Sequence, residues 1–122
     1  MYQYRVKEVI KVQDGDTLQV RVSLGFGGYQ DVWLRFAHIN TPALSKPGGA
    51  EAKAFVEKWL AGNPVFYIDT TKTSRFNPND KQEKYERYLA VLKSAPDAPI
   101  SLNQLLLDAG LAKPYEGTGP KE

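Results

Sequence analysis

The clearest pattern in the chain is a strict alternation of apolar and polar residues over positions 17–24. The apolar positions are Leu18, Val20, Val22 and Leu24. Successive side chains of a β-strand point to opposite faces, so this alternation predicts a strand with one buried face. Residues 5–12 are rich in basic and β-branched side chains and predict an earlier strand, joined to the second by an Asp-Gly turn at residues 13–16.

A third strand is predicted over residues 29–39, after a glycine-rich hairpin loop at residues 25–28. Its two faces are Val32, Leu34 and Phe36 against Trp33, Arg35 and Ala37. The strand is expected to break at Asn40, Thr41 and Pro42, because proline lacks a backbone donor and keeps the preceding residue extended. Three strands joined by tight turns predict an antiparallel meander.

Two helices follow from apolar residues at helical spacing. The first has its stripe at Ala52, Phe55, Val56, Trp59 and Leu60, and Gly62 is expected to end it. The second is expected to begin with a capping box formed by Ser101 and Gln104 and to end at Gly110. Its predicted buried stripe is Leu102, Leu105, Leu106 and Ala109.

The rest of the chain supplies two short strands and polar connections. Residues 65–68 and 87–92 predict the fourth and fifth strands, and the charged residues between them are expected to form a solvated surface loop. Residues 113–115 are expected to run extended. The order indicates an α+β fold that is mainly β, namely a five-stranded OB-fold β-barrel with two to three helices. Residues 1–116 are expected to form the domain and 117–122 a flexible tail.

Composition narrows the functional classes only partly. The 122 residues suit one domain, and they include no cysteine and one histidine, His38, which is expected to be structural. The formal net charge of +2 neither requires nor excludes a nucleic-acid partner. The chain has no apolar run of membrane-spanning length and no signal-peptide core at its start. An intracellular monomer without a membrane partner is therefore expected.

Four segments, in this order along the chain, resemble the staphylococcal nuclease (thermonuclease) family. They are Asp14-Gly15-Asp16-Thr17, Leu34-Arg35 through Asn40-Thr41-Pro42, Lys84-Tyr85-Glu86-Arg87, and Leu102-Asn103 with Gly110-Leu111-Ala112-Lys113. A single segment is weak support, because D-G-D-T alone is an ordinary turn. All four, in register with the predicted strands and helices, make a specific match.

The resemblance implies a Ca²⁺-dependent endonuclease, a phosphodiester hydrolase that acts on DNA or RNA. The family's metal ligands correspond here to Asp16, Asn40 and the backbone carbonyl of Thr41, with Asp14 acting through water. Calcium prefers several hard oxygen ligands in a flexible cage, which these groups supply. The resemblance therefore predicts a calcium site, and single-stranded nucleic acid is the favoured substrate.

The same resemblance gives roles to the basic residues. Arg35 and Arg87 correspond to arginines that neutralise the phosphate under attack, since planar guanidinium groups can clasp two oxygens at once. Lys84 and Tyr85 correspond to positions that contact a neighbouring phosphate, and Tyr115 to a nucleotide-facing tyrosine. Taken alone, Arg35 favours the simpler interpretation of a solvated strand arginine paired with a carboxylate, and only the other segments change that balance.

Three positions depart from the family pattern, namely Asn40, Ala43 and Glu86, the last of which stands where a small residue is common and adds negative charge beside Arg87. Asn40 stands where the family usually has Asp, which removes one negative charge and predicts weak calcium binding. Ala43 stands where the family has a general-base Glu, and a methyl group cannot accept a proton from water. Losing a general base costs about 10²–10⁴-fold in rate. The alanine is either natural or an introduced knock-out.

Three hypotheses on function follow. The first is a nuclease of reduced activity, which the presence of Asp16, Arg35 and Arg87 together favours. The second is a catalytically inactive OB-fold module that binds nucleic acid, which Ala43 favours. The third is a protein-interaction or inhibitory module.

Overall fold

The computed structural model describes residues 2–72 and 87–115, in which five strands form a closed barrel accompanied by two helices. The barrel strands are β1 (Tyr2–Asp14), β2 (Thr17–Gly25), β3 (Gly28–Phe36), β5 (Phe66–Lys72) and β6 (Arg87–Lys93). A small second sheet pairs β4 (Ile39–Asn40) with β7 (Lys113–Pro114), and the helices are α1 (Gly49–Gly62) and α2 (Leu102–Asp108).

The order of strands around the barrel is β1-β2-β3-β6-β5, and β5 returns to pair with β1. β3 and β6 run parallel, whereas the other neighbouring strands of the barrel run antiparallel. β1 pairs with β5 up to Val6 and with β2 from Val6 onward. Register shifts in its pairing with β2 let this long strand bend around the barrel. The predicted five-stranded OB-fold barrel is confirmed.

The core lies inside the barrel and beneath both helices. Leu18, Val20 and Val22 are buried as the alternation predicts, and Val56 of α1 joins them. Leu24 was predicted on the same buried face but is 48% exposed, because it stands at the end of β2 beside the hairpin loop. Ala109 is exposed as well, since α2 ends one residue earlier and Ala109 is its C-cap.

The predicted third strand, residues 29–39, is wrong at its end. β3 stops at Phe36, and a turn at Ala37 and His38 redirects the chain into β4. His38 is exposed and has a left-handed φ of 67°, so it does not alternate within a strand. Up to Ala37 the chain is bonded to β6, since the Ala37 N–H donates to the Ala90 carbonyl, but the next strand, β4, pairs with β7. The turn is needed to carry the chain from one partner to the other.

The ends of α2 follow the sequence signals in part. The Ser101 hydroxyl accepts a hydrogen bond from the Gln104 N–H, as expected of an N-cap. The Gln104 side chain donates forward to Asp108 rather than back to the cap, so the predicted capping box is half formed. Gly110 has a φ of 73° and follows the C-cap, which suits the predicted stop.

The fourth strand is longer than the predicted residues 65–68. β5 extends to Lys72, while Val65 precedes it and is exposed. Residues 73–86, most of the predicted surface loop, and residues 116–122, which include the predicted tail, lie outside the described residues, so the domain boundary at 116 remains a prediction. Neither of the described helices has the length and apolar character needed to cross a membrane.

Candidate functional site

The pairing of β2 with β3 places a carboxylate beside an arginine. Thr17 is the register partner of Arg35, and the Phe36 N–H donates to the Asp16 carbonyl at 2.8 Å. Asp16, in the turn between β1 and β2, is therefore held against the end of β3. Its Oδ2 lies 3.6 Å from Nη2 of Arg35.

The Asp16 carboxylate is fully buried and is satisfied by groups from two segments. Its Oδ1 accepts a hydrogen bond from the Thr17 hydroxyl, and its Oδ2 accepts one from the Thr41 N–H, both at 3.1 Å. The neighbouring Asp14 accepts a hydrogen bond from the Asp16 N–H through Oδ1 at 3.0 Å. Buried charges are costly unless they are hydrogen-bonded, so the bonds from Thr17 and Thr41 stabilise the Asp16 carboxylate. The same two bonds also fix its orientation.

Arg35 joins Asp16 to the next segment of the chain. Its Nη2 donates to Oδ1 of Asn40 at 2.9 Å, and its guanidinium lies 5.6 Å from the ring centre of Tyr115. The Arg35 side chain is 17% exposed, so part of the guanidinium still faces solvent. The group is therefore held at the edge of the site by an amide oxygen, a carboxylate and an aromatic ring.

A cavity of about 190 Å³ opens beside these residues. Its walls are Asn40, Thr41, Pro42 and residues 110–115. The β4–β7 pairing and a 2.9 Å hydrogen bond from the Tyr115 N–H to the His38 carbonyl hold the two walls together. The predicted nucleotide-facing tyrosine and two of the predicted metal ligands, Asn40 and Thr41, thus line one cleft.

Helix α1 lies directly against the turns that form this cleft. A Cβ at Gly15 would come within 2.7 Å of the Ala52 Cβ and 2.9 Å of the Thr41 hydroxyl. A Cβ at Gly49 would run into the carbonyl of Ala43. Both glycines are therefore required for close approach, and the helix start sets the position of the segment from Thr41 to Ala43.

A family model for staphylococcal nuclease homologues matches residues 33–122, which is more than half of the chain. The chain belongs to the staphylococcal nuclease family. A search of curated proteins finds no match. The nuclease family is generally Ca²⁺-dependent, and its activity implies a nucleic-acid substrate.

The family match begins within β3 and so leaves out the turn that carries Asp14 and Asp16. The structure brings that turn to the matched part of the nuclease domain, because Asp16 bonds the Thr41 N–H and lies beside Arg35. Its place at the cleft therefore rests on geometry as well as on the resemblance of the sequence.

The structure places most of the predicted nuclease residues together. Those that meet at or beside the cleft are Asp14, Asp16, Arg35, Asn40, Thr41 and Tyr115. Ala43 follows Pro42, is half-buried, and accepts a hydrogen bond from the Lys46 N–H at 2.9 Å. The backbone of Arg87 begins β6 beside Trp33. Lys84, Tyr85 and the Arg87 side chain lie outside the part of the chain that the structure describes.

Asn103 is a structural residue of the nuclease domain whose role the sequence did not reveal. Its Oδ1 accepts the Leu92 N–H at 3.1 Å, and its Nδ2 donates to the carbonyls of Ala37 and Ala90 at 2.9 and 3.0 Å. It thereby ties α2 to β6 and to the turn after β3. The signal in the sequence was a polar residue next to the apolar stripe of a helix, because such a residue needs buried partners.

The described residues contain no group of three or more His, Cys, Asp or Glu side chains arranged to hold a metal ion. Hard oxygen groups do lie at and behind the cleft: Asn40 and Thr41 are on its wall, and the buried Asp16 carboxylate bonds the Thr41 N–H. The Thr41 hydroxyl is buried and has no hydrogen-bond partner in the described part of the chain. This donor set fits a hard cation such as Ca²⁺, with less negative charge than a site of several carboxylates.

Proposed function

We propose that this protein is a Ca²⁺-dependent endonuclease that hydrolyses phosphodiesters of DNA or RNA at a reduced rate. The single observation that carries the proposal is the cluster of Asp16, Arg35 and Asn40 beside one cleft of a nuclease-family domain. A buried carboxylate beside a partly exposed arginine combines a cation ligand with a group that can bind a phosphate.

The proposed metal ligands are Asp16, Asn40 and the Thr41 carbonyl, with Asp14 acting through water. Bound calcium would supply charge stabilisation to the phosphate oxygens. The hydrogen bonds from Thr17 and Thr41 keep the Asp16 carboxylate oriented before any ligand arrives. Orientation in advance is favourable because it lowers the entropic cost of assembling the site.

The proposed phosphate ligands are the guanidinium groups of Arg35 and Arg87. Negative charge grows on the phosphoryl oxygens during attack by water, and fixed cations at that point lower the barrier. Arg35 suits this role because its 17% exposure leaves part of the fork open to solvent. Tyr115 forms a wall of the cavity and is proposed to face the nucleotide, while Lys84 and Tyr85 would contact the next phosphate.

The reduced rate is attributed to Ala43. Hydrolysis requires that a water oxygen bond to phosphorus, lose its proton and displace an alcohol from the strand. Ala43 has no group that can accept that proton, so the attacking water is activated less well. We expect the rate to be lower by about 10²–10⁴-fold than with a positioned base.

Binding of nucleic acid without cleavage is the second candidate. Two substitutions favour it, since Ala43 removes the base and Asn40 removes a charge from the metal site. Under this hypothesis the cleft would still take a phosphate at Arg35 and a nucleotide at Tyr115.

Cleavage of labelled single-stranded DNA at several protein concentrations, with Ca²⁺ or with chelator, tests the proposal. We expect slow cleavage that scales with protein, requires Ca²⁺ and is lost in Asp16→Asn. Arg21→Gln removes an arginine from the outer barrel surface and should cleave as the parent does. Binding without any Ca²⁺-dependent cleavage would favour the second candidate, and cleavage unchanged in Asp16→Asn would contradict the proposed site.

A further inference from the structure

Arg35 lies beside the oxygen atoms that a metal ion would use as ligands. Its Nη2 is 2.9 Å from Oδ1 of Asn40 and 3.6 Å from Oδ2 of Asp16. These atoms belong to the two side chains proposed above as metal ligands. The guanidinium therefore already supplies a positive charge to the site, and it does so through a direct hydrogen bond to one proposed ligand.

We infer that Arg35 is a built-in competitor of the divalent cation for the amide oxygen of Asn40. The ion must displace Arg35 from Asn40 in order to bind there, and the displaced guanidinium is then free to bind phosphate. The inference rests on the metal ligands of the proposed function. It goes further by making calcium affinity depend on the release of Arg35.

The amide at position 40 is the reason for the competition. A carboxylate has two equivalent oxygens and can hold an arginine on one and a cation on the other. An amide has one acceptor oxygen, and although that oxygen has two lone pairs, a guanidinium and a calcium ion bound to the same atom are forced close together, while the NH₂ group repels cations. With Asn40 bonded to Arg35, the oxygen that calcium needs is already engaged.

The surroundings of Arg35 strengthen its hold on that oxygen. Tyr115 places its ring centre 5.6 Å from the guanidinium carbon, and a cation over an aromatic face is attracted to it. The nearby Asp16 carboxylate is fully buried, so its attraction for the guanidinium is screened less than at a surface. Calcium binding must therefore overcome the contacts of Arg35 as well as the repulsion between two cations.

Calcium titration calorimetry on the parent and on Arg35→Gln tests the inference. We expect Arg35→Gln to bind Ca²⁺ about 10-fold more tightly or more, because it removes both the bond to Asn40 and a positive charge a few Å from the ion. Arg21→Gln has the same change in net charge at an exposed distant site and should stay within about twofold of the parent.

The same titration in an Asn40→Asp background separates competition from simple charge repulsion. Repulsion alone predicts an equal gain from Arg35→Gln in both backgrounds. Competition predicts a smaller gain in the Asn40→Asp background, because two carboxylate oxygens let both cations bind. Equal gains, or no gain from Arg35→Gln in the parent, would overturn the inference.

The design also distinguishes this inference from the proposed function. Calcium binding by the parent that Asp16→Asn abolishes, with no gain from Arg35→Gln, would keep the metal site and overturn the competition. No calcium binding by the parent or by Arg35→Gln would overturn both. Thermal unfolding in chelator checks the fold, and Arg35→Lys serves if Arg35→Gln unfolds, with tighter binding expected since an ammonium lacks the planar fork.

Discussion

Among single residues, those at the cleft contrast with those on the outer surface of the barrel. Asp16 is fully buried and bonded by the Thr17 hydroxyl and the Thr41 N–H, so a change there disturbs several partners. Arg21 and Asp31 pair on adjacent strands at 2.8 Å, but both side chains are about two-fifths exposed, at 41% and 42%. Exposed pairs contribute little to stability because water screens them.

The outer pair gives a prediction on pH. The hydrogen bond from Arg21 lowers the pKa of Asp31 from its ordinary value. A carboxyl group whose pKa is lower in the folded state stabilises the fold above its unfolded pKa, about 3.9, and loses that contribution as the pH falls through the folded pKa. We expect Asp31→Asn to lower the urea midpoint slightly at pH 7, and we expect its difference from the parent to shrink as the pH falls below about 3.9.

Urea unfolding of the two proteins across this pH range measures the difference. Arg21→Gln should remove most of the effect of Asp31→Asn, because the partner that lowers the pKa is gone. A difference between the parent and Asp31→Asn that grows as the pH falls would contradict the assigned role.

The contact between Asp16 and Arg35 was open to prediction from the sequence, whereas the links around it were not. The hairpin loop at residues 25–28 fixes which residues of β2 and β3 pair, so Thr17, the neighbour of Asp16, falls opposite Arg35. The hydrogen bond of Arg35 to Asn40 depends on the turn at His38, whose left-handed backbone the strand pattern did not indicate.

Among the helices and strands, α1 is the support of the cleft. Ala52 packs against the position of Gly15, and the helix start packs against the Ala43 carbonyl at Gly49. The sequence predicted this helix from its apolar stripe. It predicted residues 113–115 as extended, which β7 confirms, but not the pairing of β7 with β4, because two-residue strands have no periodicity and are defined only by a partner far away in the chain.

The helix start provides a second prediction. Gly49→Ala should lower the free energy of unfolding by about 2 kcal/mol or more, because the added Cβ overlaps backbone that cannot move aside cheaply. Gly62→Ala, at the other end of α1, meets no atom within 4 Å and should be neutral or stabilising by about 0.5–1 kcal/mol. Chemical denaturation measures both. Equal effects of the two substitutions would contradict the role of Gly49.

Across the molecule as a whole, the closed barrel brings distant segments to one cleft. The parallel pairing of β3 with β6 sets the strand of Arg35 beside the strand that Arg87 begins. The order of strands and helices was predictable from hydrophobic periodicity, and that order in turn indicated the closed barrel. With a formal net charge of only +2, attraction to nucleic acid must come from local basic groups.

This distribution of charge gives a third prediction. Binding to single-stranded nucleic acid should weaken as salt rises, because contacts of Lys and Arg with phosphates release counterions. Two such contacts without Ca²⁺, with Lys84 and Arg87 as the proposed sources, give a slope of log K against log salt of about −1.4. Fluorescence anisotropy in chelator measures the slope. Affinity that does not depend on salt, or no binding at low salt, would favour the protein-interaction hypothesis.

The proposed nuclease site lacks one group, the base at position 43. Ala43 comes two residues after Thr41, whose N–H bonds the Asp16 carboxylate, and its carbonyl packs on Gly49. A carboxylate introduced there would start from a backbone anchored to the cleft. The substitution Ala43→Glu therefore supplies what the site is proposed to lack.

The decisive experiment compares the rates of Ca²⁺-dependent cleavage of single-stranded DNA by Ala43→Glu, Ala43→Gln and the parent. We expect a gain of roughly 10²-fold or more for Ala43→Glu, the lower end of the contribution of a positioned base. Ala43→Gln matches the size without the charge and should gain little. A folded Ala43→Glu protein that binds Ca²⁺ and cleaves no faster than the parent would contradict the claim that the site lacks only a general base at position 43.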